Sequence, residues 1–68
     1  MKDVLIYRTE NDHEVFEIRD TMHNGARVER KAYLIRGETI WEMRLGLYSS
    51  LDPAQVKRLI WQLASKQQ

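Results

Sequence analysis

Cysteine is missing from this 68-residue chain, which excludes disulfide staples, thiolate metal sites and cysteine nucleophiles together and leaves the redox compartment open. Glycine is scarce, and Gly25, Gly37 and Gly46 stand alone, so no glycine-rich loop exists to cradle a phosphate. Neither sign of charge dominates: 11 lysines and arginines face 10 acids, a net charge of +1, which gives no global field to draw nucleic acid or an anionic membrane. Such binding would need a local patch. Long apolar runs are missing too. Val4-Leu5-Ile6-Tyr7 is far short of a signal peptide's apolar region or a membrane span, so the chain is expected to be cytoplasmic with no membrane partner.

The arrangements that carry catalysis are equally sparse. His13 and His23 fall in separate turns with no ligand spacing between them, which argues against a metal site. The acids alternate with arginines along strands instead of pairing as general acid and base. Ser49, Ser50 and Ser65 have no histidine nearby in sequence and no strained, glycine-flanked turn. The expectation is a protein that is not an enzyme, with no catalytic residue, cofactor or metal.

What is present is globular: 43% of residues are apolar and 31% charged, which suits one small domain over residues 1–68. At this size a single core is only marginally sufficient, so self-association, most simply a dimer, is expected. The clearest element is C-terminal. Asp52 can cap the first turn of a helix and Pro53 suits its first position. At about 100° per residue, Val56, Leu59, Ile60, Leu63 and Ala64 fall in one arc, whereas Trp61 points roughly 140° from Val56, between Lys57 and Ser65.

The remainder reads as strands. Val4–Tyr7 forms a first strand whose consecutive apolar side chains predict cover on both faces, from the helix and from a second subunit. Glu14–Asp20 and Ala26–Ile35 flank His23-Asn24-Gly25 and predict a hairpin. A two-residue Asn24-Gly25 loop sets Arg19 opposite Arg30 and Asp20 opposite Glu29, two like-charge pairs. A three-residue loop instead pairs Arg19 with Glu29, Glu17 with Lys31, Val15 with Tyr33 and Phe16 with Ala32, and is preferred for its charges. It leaves Arg30 beside Ile18 on the inner face, where it must reach the sheet margin or find a carboxylate. Trp41, Met43, Leu45 and Leu47 alternate with polar residues and Gly46, so a fourth strand is favoured. The competing reading is a short helix capped at Thr39, which would open a helix-turn-helix arrangement.

The predicted fold is α+β: a small antiparallel β-meander of three to four strands with one C-terminal α-helix packed on one face, in the order ββββα. Its core would join Phe16, Ile18, Val28, Ala32, Leu34, Trp41, Met43, Leu45 and Leu47 to Val56, Leu59, Ile60 and Leu63. Tyr7, Tyr33, Trp41 and Tyr48 are expected in the core or at its margin. Trp61 either folds back over the sheet or serves as a contact residue within a basic surround of Lys57 and Arg58. On the open sheet face, Tyr33 with Arg27, Lys31, Arg19 and Arg44 could meet nucleic acid, but Glu17, Glu29 and Glu42 share that face and neutralise it. The function these patterns favour is a small non-enzymatic interaction module, a regulator or adaptor that binds another protein through Trp61, Lys57, Arg58, Tyr33, Arg27 and Lys31 and self-associates through the apolar first strand or the Trp61 face of the helix. The alternative is a nucleic-acid-binding regulator using the open sheet face or the helix.

Overall fold

A computed structural model of the chain describes residues 1–67. Four strands, β1 (Lys2–Glu10), β2 (Val15–His23), β3 (Ala26–Arg36) and β4 (Thr39–Arg44), lie in chain order in one antiparallel sheet. A short 3-10 turn at Gly46–Tyr48 leads to a single helix, α1 (Pro53–Lys66), which packs over β3 and β4. This is the predicted ββββα arrangement. Residues 39 to 44 are strand, so the helix-turn-helix alternative falls away.

The connections follow from turn chemistry. Between β1 and β2 the Asn11 side chain accepts hydrogen bonds from the backbone N–H groups of His13 and Glu14 at 2.8 and 3.0 Å, closing a tight turn. Between β2 and β3, Asn24 and Gly25 both hold positive φ, 52° and 78°, and His23 pairs with Ala26. That is the two-residue hairpin loop whose twist matches the flanking strands. The preferred three-residue loop is therefore corrected. A bulge at Val28 then shifts the ladder by one residue, so Arg19 faces Lys31, Glu17 faces Tyr33, Val15 faces Ile35 and Phe16 faces Leu34. None of the cross-strand pairs expected from the three-residue loop forms.

The bulge also removes one of the two like-charge pairs that made the short loop look poor, while Arg19 still faces a cation, Lys31. Beyond it, Asp20 faces Arg30 instead of Glu29. The inner row of β2, continued back to Glu14 just before the strand, then reads Glu14, Phe16, Ile18, Asp20, and the inner face of β3 alongside it reads Arg36, Leu34, Ala32, Arg30. Apolar pairs fill the middle and an acid–arginine pair closes each end. Arg30, the residue expected to need a carboxylate, is bound in a fork by Asp20 at 2.6 and 2.8 Å and also donates to the Ser49 carbonyl at 3.0 Å, tying the loop before α1 to the sheet.

Phe16, Ile18, Ala32, Leu34, Leu45, Val56, Ile60 and Ala64 form the buried core, with Trp41, Met43 and Leu51 packed against it. Each fully buried large side chain contributes roughly 1.5–3 kcal/mol. Leu59 and Leu63 are half-buried at its flank. Two expected core residues lie outside. Val28 is exposed at the bulge, and Leu47 is 98% exposed because β4 stops at Arg44 and the 3-10 turn swings it outward. Tyr48, in the same turn, is exposed as well. Asp52 accepts from the Gln55 N–H at 3.0 Å and the Gln55 side chain returns to the Asp52 N–H at 3.2 Å, the reciprocal cap that starts α1.

Because α1 lies over β3 and β4, it does not supply the cover predicted for the first strand. Leu5, Ile6 and Tyr7 remain between two fifths and half exposed on a strand whose outer edge has no neighbour. Among the described residues no helix is long and apolar enough to cross a membrane.

Candidate functional site

The most organised polar cluster surrounds Glu14, which precedes β2 and continues its inward-facing row. Its side chain is almost wholly buried. One carboxylate oxygen accepts from Arg36 Nε at 3.1 Å, and the other accepts from Trp61 Nε1 at 3.1 Å with Lys57 Nζ 3.6 Å away. The Arg36 guanidinium lies over two indole rings, 5.5 Å from the centroid of Trp41 and 5.3 Å from that of Trp61. Such contacts add on the order of 0.5–2 kcal/mol each. Lys57 also sits 5.8 Å from the ring centroid of Phe16. One acid thus gathers β2, the end of β3 and α1 at a single point.

This geometry answers the two-way expectation for Trp61 with a combination. The indole N–H and one ring face are anchored, yet 47% of the residue stays open to solvent. Beside it lies a shallow depression of about 310 Å³ lined by Ala54, Lys57, Arg58 and Trp61. Three of the residues singled out from sequence, Trp61, Lys57 and Arg58, therefore meet on one surface. Between Pro53 and Lys66 the helix carries Lys57, Arg58 and Lys66 and no acid, and of the two cations beside Trp61 it is Lys57 that has an acid near it, Glu14 at 3.6 Å.

The other three residues lie elsewhere. Tyr33 and Lys31 are on the open face of the sheet, opposite the helix, in rows that alternate in charge. Glu17 and Glu42 flank Tyr33 across the strands, and Arg19 and Arg44 flank Lys31. Neighbouring rows neutralise one another. Arg19 reaches Glu17 at 2.8 Å and Asp3 at 3.1 Å, Lys31 reaches Glu42 at 3.0 Å and Glu29 at 3.3 Å, and Arg44 lies 3.7 Å from Glu29. The Lys31 ammonium is held above its usual pKa by its contacts with Glu42 and Glu29. Burial, aided by Glu42, pushes the Tyr33 phenol up. These pairs explain why Arg19 and Lys31 tolerate facing each other: each is bound to an acid two residues along its own strand.

Arg27 sits near the hairpin end, where a depression of about 340 Å³ is also lined by Val28, Glu29, Arg30, Arg44, Gly46 and Ser49. Arg30 is committed there to Asp20, and its hydrogen bonds hold the Asp20 carboxyl below its ordinary pKa. The six residues therefore occupy three surfaces, not one.

Sequence reading missed Glu14 and Arg36. The available signal was the period-two continuation of Phe16 and Ile18 to Glu14, and of Leu34 to Arg36, which placed a charge of each sign on the inner face. His13 and His23 lie at opposite ends of β2, and among the described residues no group of three or more histidine and acidic side chains is gathered closely enough to hold a metal ion. Compared with protein families, with curated proteins and with solved structures, the chain finds no match.

Proposed function

We propose that this chain is a small, non-enzymatic, cytoplasmic protein-interaction module, a regulator or adaptor that works by binding a partner protein and that acts as a homodimer. The partner surface is the outer face of α1 centred on Trp61, with Lys57 and Arg58 as its basic rim. One observation carries the reading: Trp61 is about half exposed while its N–H and inner face are already fixed by Glu14 and Arg36. A large ring held in place before binding loses little freedom on contact, which is the physical description of an interface anchor. The rim favours a partner segment that places an apolar side chain against the indole and acids around it.

The nucleic-acid alternative draws less support. Tyr33, the aromatic that would stack a base on the open face, stands between Glu17 and Glu42, and the basic residues Arg19, Lys31 and Arg44 beside it are matched by acids. The two readings separate in one affinity-capture series run with natural chain and Trp61→Ala between about 0.1 M and 1 M salt, over which the screening length falls from about 10 Å to 3 Å. A protein partner should survive the salt and nuclease treatment and be weakened about thirtyfold by Trp61→Ala, the effect of losing an anchor worth roughly 2 kcal/mol. Retention of nucleic acid that collapses with salt would replace this reading with its alternative.

A further inference from the structure

We infer that a second copy of this chain docks edge to edge on β1, joining the two four-stranded sheets in one register: Asp3 opposite Arg8, Val4 opposite Tyr7 and Leu5 opposite Ile6. The inference rests on the self-association proposed above and specifies its geometry. β1 is nine residues long and forms the outer edge of the sheet. An edge of this length with apolar side chains left exposed is a template for another strand, and because β1 also carries charges at Lys2, Asp3, Arg8 and Glu10 and a bulge at Ile6, both of which restrict edge pairing, a partner strand must match them.

The register follows from the irregularity in β1. Leu5 pairs with Arg19 and Tyr7 with Ile18, which leaves Ile6 as an extra residue in the ladder. Before it, Asp3 and Leu5 lie on the open face, since Leu5 faces Arg19 and Asp3 bonds Arg19 at 3.1 Å, while Val4 faces buried Asp20. Beyond it the alternation reverses. Tyr7 faces buried Ile18 and meets Phe16 edge-on at 6.1 Å, whereas Arg8 bonds Glu17 on the open face at 3.3 Å.

A strand paired antiparallel with its own copy must bring together residues of the same face. A regular strand does so when paired residues are an even number of positions apart. Here the bulge makes odd separations the matching ones for residues on its two sides. Three such registers overlap most of the strand, with Arg8 opposite Met1, Asp3 or Leu5. The first sets Lys2 against Tyr7, and the last sets Asp3 against Glu10 and Leu5 against Arg8. Only the middle register places opposite charges face to face and apolar side chains against apolar ones, twice over by symmetry. Asp3 and Arg8 are both exposed enough to take a second partner. The two-fold axis would run through the sheet between Leu5 and Ile6, with both helices on the same side.

The absence of cysteine makes the test clean. Residues directly opposite in an antiparallel ladder have Cα atoms about 4.5–5.5 Å apart, within the span a disulfide bridges, whereas Val4 would stand about 10 Å along the strand from its own copy. Val4→Cys and Tyr7→Cys chains, mixed and oxidised, should give the mixed disulfide in large excess over either self-linked product. Asp3→Cys with Arg8→Cys should do the same on the open face, which guards against loss of the Tyr7 ring disturbing the fold. Sedimentation of the natural chain runs alongside. Dimers without a mixed cross-link in either pair would overturn this register and leave self-association standing. A monomer throughout the concentration range would overturn both.

Discussion

Replacing Glu14 by alanine should cost this domain about 3 kcal/mol, a figure that follows from what the carboxylate holds. A hydrogen bond to a charged group contributes about 1.5–3 kcal/mol net, and Glu14 accepts two, from Arg36 and Trp61. The low end applies because the Arg36 and Lys57 side chains are roughly a third exposed and Trp61 about half, so water can re-solvate the donors left behind. At about 4–8 °C per kcal/mol for a domain of this size, Tm should fall by about 12–24 °C. Glu14→Gln keeps the shape and one carbonyl acceptor, so about half that loss is expected. Urea unfolding followed by far-ultraviolet circular dichroism is the appropriate assay, since fluorescence would report on the tryptophan being perturbed. It must be run at one protein concentration because self-association adds to apparent stability. A double-mutant cycle with Trp61→Phe, which keeps an aromatic ring, though a smaller one, and removes the N–H, should return a coupling of about 1 kcal/mol. An alanine variant within about 0.5 kcal/mol of the natural chain, in the range of an ordinary surface change, would refute the idea that Glu14 anchors Trp61.

Two further outcomes follow from the other end of the core and from the hairpin. The Asp20 pKa is lowered in the folded chain by its hydrogen bonds with Arg30, so its contribution is complete above the ordinary carboxylate pKa of about 3.9 and is lost as pH falls through the lower folded value. Asp20→Asn should therefore be less stable than the natural chain at pH 7, with the gap in Tm closing in acid. A gap unchanged down to pH 2 would show that the ion pair is not its source. Gly25→Ala should destabilise by about 1–2 kcal/mol through its positive φ alone, since among the described residues no atom beyond its chain neighbours lies within 4 Å of the added methyl. An unchanged urea midpoint would mean the loop is not held at that dihedral angle.

The elements were legible in the sequence because each carries a local signal: the Asp52-Pro53 start of α1, the period of two in β2 and β4, and the Asn24-Gly25 turn. Register was not legible from the loop, because counting outward from a turn assumes an unbroken ladder and the bulge at Val28 breaks it. It was legible from the inner face. Only the observed register opposes Glu14, Phe16, Ile18, Asp20 with Arg36, Leu34, Ala32, Arg30 and so leaves no buried charge facing a hydrocarbon. The cross-strand charges of the solvent face were a weaker guide, since exposed ion pairs contribute little and rearrange along their own strands. The same reasoning explains the partial view of the candidate surface. Trp61 stood out by its helical angle, whereas its two supports, Glu14 and Arg36, lie 47 and 25 positions away in sequence and become visible only once the sheet is aligned.

Molar mass by sedimentation equilibrium across a wide range of concentrations, for the natural chain and for Trp61→Ala, examines the proposal that this is a binding module with one edge for its own copy and one face for another protein. Both chains should approach twice the monomer mass as concentration rises, because the second copy docks on β1 and not on the helix. Two chains that stay at the monomer mass throughout would leave the exposed β1 edge without the occupant proposed for it.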